Sequence, residues 1–169
     1  MLDTYLKVLD LCYFEVTEAF KGLADEHVWK RPDGGLLSVG ELAGHVAYWQ
    51  AVRMAGAPKD GTEAPDLSKC KVVSPLIDER FRYYSKTIAT QPSDEHLALT
   101  AEQVCGELIR VHKESVAYLR ALNPDLQSPV PWWHSNYDEY LQYAAFHVAY
   151  HTGQMYSVRH LLGEETPDN

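Results

Sequence analysis

Several kinds of chemistry are missing from this 169-residue chain. There are three cysteines, Cys12, Cys70 and Cys105, an odd number without a CxxC pair. That suits free thiols in a reducing cytoplasm better than a disulfide framework. No apolar run approaches the roughly 20 residues that cross a bilayer, so no membrane segment is expected. The opening stretch, MLDTYLKVLDLCYFEV, carries acids early and lacks a basic start, an apolar run and a small-residue cleavage site. No secretion signal is expected either. Lysine and arginine do not cluster, and the net charge is −9. Nucleic acid and anionic membrane surfaces are therefore excluded as expected partners. GxSxG, the phosphate-binding loop and the dinucleotide fingerprint are absent. So are convincing period-2 strands, internal repeats and low-complexity tails.

What remains reads as helices. Leu2, Leu6, Leu9, Tyr13, Val16, Phe20 and Leu23 recur in steps of four and three, one face of a first helix that ends near Gly22. RPDGGLL (31–37) is a loop. Ser38 with Glu41 forms a capping box for a second helix, whose stripe is Leu42, Val46, Trp49 and Arg53, with His45 on it. Gly56 and Pro58 close it, and residues 57–73 read as a long loop. Ser74 and Pro75 predict a helix over 74–90 with Ile77, Phe81, Tyr84 and Ile88 inward. Thr100 with Gln103 caps another, with Val104, Leu108, Val111, Ser115, Tyr118 and Leu122 as its stripe. A proline-rich loop over 123–133 follows. Ser135 or Asn136 caps a final helix that runs to about Gly163. Four long helices and one shorter one make an all-α bundle, expected to form a single domain over residues 1–169.

Eight histidines are the unusual count. In the last helix the seam runs Tyr140, Ala144, His147, His151, Gln154, Val158, Leu161. Three consecutive core-facing positions are polar, and burying uncompensated polar groups costs a few kcal/mol each, about. Imidazoles at i and i+4 lie on one face about 6 Å apart, within reach of one metal ion. His45, on the stripe of its own helix, is the candidate third ligand. Three neutral imidazoles suit zinc, nickel, iron or copper rather than magnesium or calcium, and three protein ligands leave a position open. The alternative is that these histidines hydrogen-bond within the core. The motif is not HExxH: Val148 stands where a zinc peptidase has its glutamate.

Two segments carry a resemblance. HVWKRPDGGLLSVGELAGHVAYW (27–49) and DEYLQYAAFHVAYHTGQMYSVRHLLG (138–163) resemble the DinB-like (YfiT-like) metalloprotein superfamily. The second segment, an H-x3-H-x-G-Q helix followed by Arg159 and Gly163, is the specific part. The resemblance implies a four-helix bundle of up-down-down-up order, commonly a homodimer, with a metal triad on His45, His147 and His151. It implies a divalent metal, zinc or nickel foremost, with iron or manganese as alternatives. It also implies a metal-dependent transferase acting with a low-molecular-weight thiol. The alternatives are a non-catalytic, stress-related metal-binding dimer and a metal-assisted hydrolase. The up-down-down-up order needs a long crossover, which residues 57–99 can supply.

Other residues are read beside the triad. Gln154 shares the face of His151, and Trp49 that of His45, so both are pocket or metal-supporting candidates. His134, in PWWHSNY, is a spare site candidate on the loop before the metal helix. Trp132 and Trp133 are read as capping the bundle. His27 and His96 are read as solvated, His112 as a boundary residue, and His160 as a cation near a helix C-terminus. Gly153, in mid-helix, implies close approach of another helix.

Overall fold

The computed structural model describes residues 1–33, 37–62, 64–82, 91–132 and 134–167. Four long helices carry the fold: α1 (Leu2–Phe20), α3 (Val39–Ala55), α5 (Ala101–Leu122) and α6 (Tyr137–Leu161). Two single-turn helices, α2 (Asp25–Val28) and α4 (Asp94–Leu97), precede α3 and α5. A two-residue ladder pairs β1 (Ala57–Pro58) with β2 (Pro65–Asp66) in antiparallel register.

The side-chain bonds fix the helix directions. Tyr5 reaches Asp138 and Cys12 reaches Ala145 O, so α1 and α6 lie side by side and parallel. Asp10 meets His112 and Asp3 meets Arg120, so α5 runs against α1. Gln50 meets His112, and the α3 and α5 starts lie at one end, where Trp29 packs on Gly40 and donates to Leu99 O. The order is up-down-down-up, and the all-α reading stands.

Each cap has a local cause. Ser38 Oγ accepts from the Glu41 N–H while the Glu41 carboxylate accepts from the Ser38 N–H. Thr100 and Gln103 repeat the box at α5. Asn136, rather than Ser135, caps α6 by accepting from the Glu139 N–H. At the far end of α6, Arg159 is buried and donates to Ala19 O and Lys21 O, the open carbonyls that end α1. That clamp ties the two parallel helices together.

All of α3 is buried. One side joins the main core with Leu6, Leu9, Val16, Leu108 and Leu119. The other side carries Tyr48, Trp49 and Val52, which pack with Phe81 and Trp132 in a second cluster. A helix buried all round needs cover on all sides, and the connection after it supplies part of that cover through Phe81.

That connection corrects the reading of 74–90. Residues 74–82 form a turn and a 3-10 turn at Glu79–Phe81, not the start of an α-helix. Ser74 Oγ accepts from the Leu76 N–H and donates to Glu107, so its hydroxyl builds a local turn. Tyr84 and Ile88, read as inward, lie outside the described residues, as do Trp133 and the glycines of 34–35. Tyr118 and Leu122, four residues apart, share an exposed face of α5, while Leu119 between them is buried.

Three further readings change. His96 is buried, not solvated: its Nδ1 accepts from the Ser93 N–H and its Nε2–H donates to Pro75 O. His112 lies fully inside, stacked 3.8 Å from the Tyr13 ring and bonded to Asp10 and Gln50. Gly153 is exposed, and a Cβ there would meet nothing within 4 Å. No neighbouring helix among the described residues explains it. No described helix is long and apolar enough to cross a membrane.

Candidate metal centre

Helix α3 runs against α6, and this brings His45 to His147 and His151. The exposures are 7%, 9% and 2%. One ligand nitrogen from each lies within 4.8 Å of the others, and together they can hold a metal ion. The His45 and His147 Nε2 atoms are 3.2 Å apart. A tetrahedral site with bonds of about 2.0–2.1 Å has an N···N edge of about 3.3 Å. The His45–His147 spacing matches that edge, and the His151 nitrogen lies within 4.8 Å of both.

Hydrogen bonds set which nitrogen faces inward. His45 Nδ1–H donates to Phe81 O at 2.8 Å. A carbonyl only accepts, so the proton sits on Nδ1 and Nε2 keeps its lone pair. His151 Nδ1–H donates to Gln154 Oε1 at 2.7 Å, and the Gln154 amide nitrogen donates to Tyr150 Oη, which fixes the amide's orientation. Both rings thus offer Nε2. Outer partners of this kind hold a ligand's tautomer and raise its basicity.

Electrostatics keep the rings neutral. Burial pushes His45 down to about 4, with the charge of His151 adding to it. Burial pushes His147 down to about 2, helped by His151, His45 and Arg53. His151 falls to about 4 through burial, while its bond to Gln154 opposes the fall. Neutral imidazoles are the metal-binding form, so all three stand ready across the physiological range.

The surroundings are aromatic and include the guanidinium of Arg53. Tyr143 stacks 5.8 Å from His147, and His134 lies 4.8 Å from Tyr143. His134 therefore sits one ring removed from the triad and outside the three-nitrogen cluster. Trp49 donates to Arg82 O and carries the Arg53 guanidinium on its ring, 4.4 Å from the centroid. Trp132 donates to Arg53 O.

The structure brings the three imidazoles together, bonds Gln154 to His151 and places Trp49 in the second cluster beside Phe81. Sequence reasoning missed Phe81 O, because a backbone carbonyl leaves no signature of its own. One signal was available. Gly44 precedes His45, and a Cβ on it would lie 2.5 Å from the Phe81 ring. A glycine beside a candidate ligand, in a helix with no turn to make, marks a close approach. Tyr143, which stacks on His147, was also missed, since it looks like an ordinary interior position of an amphipathic helix.

No curated protein matches the chain. The family model of the DinB superfamily matches residues 9–155, which span α3, α5 and the part of α6 that bears the histidines. With most of the chain matched, an up-down-down-up bundle and a three-histidine cluster that can hold a metal, this protein belongs to the DinB superfamily.

Proposed function

We propose that His45, His147 and His151 hold a divalent metal, zinc or nickel, with a position left open, and that the protein is a transferase acting with a low-molecular-weight thiol. The observation that carries this reading is the convergence of imidazole nitrogens on one point, with His45 and His151 held in the ligating tautomer by Phe81 O and Gln154. A divalent ion in such a site lowers the pKa of a bound thiol and supplies a nucleophile at neutral pH.

Two features favour thiol chemistry over hydrolysis. Among the described residues the cluster holds histidines alone, with no carboxylate in it to serve as a base for water. A metal-activated thiol needs no such base. The chain's own thiols are unsuited to the task. Cys12, Cys70 and Cys105 lie outside the cluster, and burial raises the pKa of each. The nucleophile therefore comes from a small molecule. Free thiols of this kind also fit a cytoplasmic location.

Metal content of untagged protein tests the reading, beside the His147→Ala/His151→Ala double variant. About one metal per chain, lost in a variant that keeps its helical circular dichroism, is the expected result. Thiol-dependent turnover of an electrophile by the native protein, absent from the variant, completes it. Stoichiometric metal without turnover across a thiol panel favours a non-catalytic metal-binding protein. Absence of metal removes the main support.

A further inference from the structure

His96 is a buried histidine that the metal reading leaves unused. It lies outside the triad and is 3% exposed. It is the third residue of α4, where a capping box ordinarily carries Glu or Gln. Its Nδ1 accepts from the Ser93 N–H at 3.0 Å, so the proton sits on Nε2, which donates to Pro75 O at 2.8 Å. An ionised glutamate could make the first bond but not the second, because a carboxylate only accepts.

The ring has a use of its own. It meets the Phe81 ring edge-on, with centroids 4.8 Å apart. Phe81 also lies against Gly44 of α3, where a Cβ would come within 2.5 Å of its ring carbons. Trp29 packs beside both, 6.3 Å from Phe81 and 6.1 Å from His96.

His96 thus holds the segment from Pro75 to Phe81 at both ends. It takes the Pro75 carbonyl by a hydrogen bond and the Phe81 ring by contact. Local bonds fold the chain tightly between those ends. Ile77 N–H donates to Ser74 O, Arg80 N–H to Asp78 Oδ1, and Phe81 N–H to Asp78 O. A segment braced in this way leaves the Phe81 carbonyl little freedom. That carbonyl accepts the His45 Nδ1–H at 2.8 Å and so turns Nε2 toward the other imidazoles. A ligand held by a hydrogen bond is only as well oriented as its acceptor.

His112 supplies the contrast. It is also 3% exposed, and it bonds to Asp10 and Gln50. Neither partner belongs to the segment that holds His45.

We infer that His96 is a positioning residue of the metal centre: it seats the segment from Pro75 to Phe81 so that Phe81 O keeps His45 in its ligating tautomer. The inference rests on the reading of the triad as a metal site.

The test uses His96→Ala, with His112→Ala as the comparison. Zinc affinity is read by competition with a chromophoric chelator, and it is expected to fall about tenfold in His96→Ala. Imidazole nitrogen NMR of the metal-free proteins reads the tautomer. The native His45 is expected to carry its proton on Nδ1, and His96→Ala to show a mixture. His112→Ala is expected to lower the melting temperature and to leave zinc affinity within about twofold. Three results each overturn the inference: zinc affinity in His96→Ala within about twofold of native, a His45 tautomer unchanged between the two proteins, or an equal loss of affinity in His112→Ala. Should His96→Ala lose its helical circular dichroism, His96→Phe, which keeps a ring and drops the hydrogen bonds, takes the same readings under the same criteria. If the native protein binds no zinc, the proposed metal site fails separately. The His45 tautomer in the metal-free proteins then decides: a shift upholds the positioning role, and none overturns it.

Discussion

At the scale of single residues, orientation matters as much as ligand identity. Gln154 lies outside the three-histidine cluster, yet its side-chain oxygen accepts from His151 Nδ1–H at 2.7 Å and fixes that ring's tautomer. Gln154→Ala is therefore expected to leave the fold intact and to weaken metal binding about 10- to 100-fold, read by competition with a chromophoric chelator. His134→Ala, one ring removed behind Tyr143, is expected to leave metal affinity within about twofold in the same assay. The histidine cluster was legible because His147 and His151 share a helix face at i and i+4 and His45 lies on the stripe of its own helix. Phe81 O was not legible, because any residue can offer a carbonyl and only the path of the chain decides which one does.

At the scale of elements, two glycines in helices have opposite roles. Gly44 gives the Phe81 ring its seat, and a Cβ there would lie 2.5 Å from ring carbons. Gly44→Ala is expected to cost about 1–3 kcal/mol by overpacking and to weaken metal binding, because His45 loses a fixed partner. Gly153 has open space around it in α6. Gly153→Ala is expected to stabilise the protein by about 0.5–1 kcal/mol, raising Tm by about 1–4 °C in a thermal melt. The long helices were legible because each has a capping residue and a steady stripe. The stretch 74–82 was not, since Ser74 and Pro75 read as a helix start when tertiary packing instead draws Phe81 flat onto α3. His96 was misread for a related reason: its neighbours in sequence are polar, but its ring is enclosed by Phe81 and Trp29.

For the whole molecule, the three depressed histidines link stability to pH. In the unfolded chain they take up protons near 6.5, whereas the folded, metal-free protein resists until about 4 at His45 and His151 and about 2 at His147. Between those limits the unfolded state binds more protons, so stability rises with pH. Metal-free protein is expected to hold full stability above about pH 7 and to lose it steadily as pH falls from 6.5 toward 4. Bound metal shifts the melting temperature upward at neutral pH and steepens the acid loss, because protons compete for the same nitrogens. Melts of both forms across that range check the sign. The up-down-down-up order has a consequence in time as well as in space. His45 belongs to α3, while its two companions belong to α6, the nearer of them 102 positions further along the chain. During synthesis the first imidazole leaves the ribosome long before the others exist. On the proposed reading, metal is acquired last, after α6 has been made and laid parallel to α1. A nascent or truncated chain that stops short of α6 carries one histidine of the set, so metal loading would report that α6 has docked against α3.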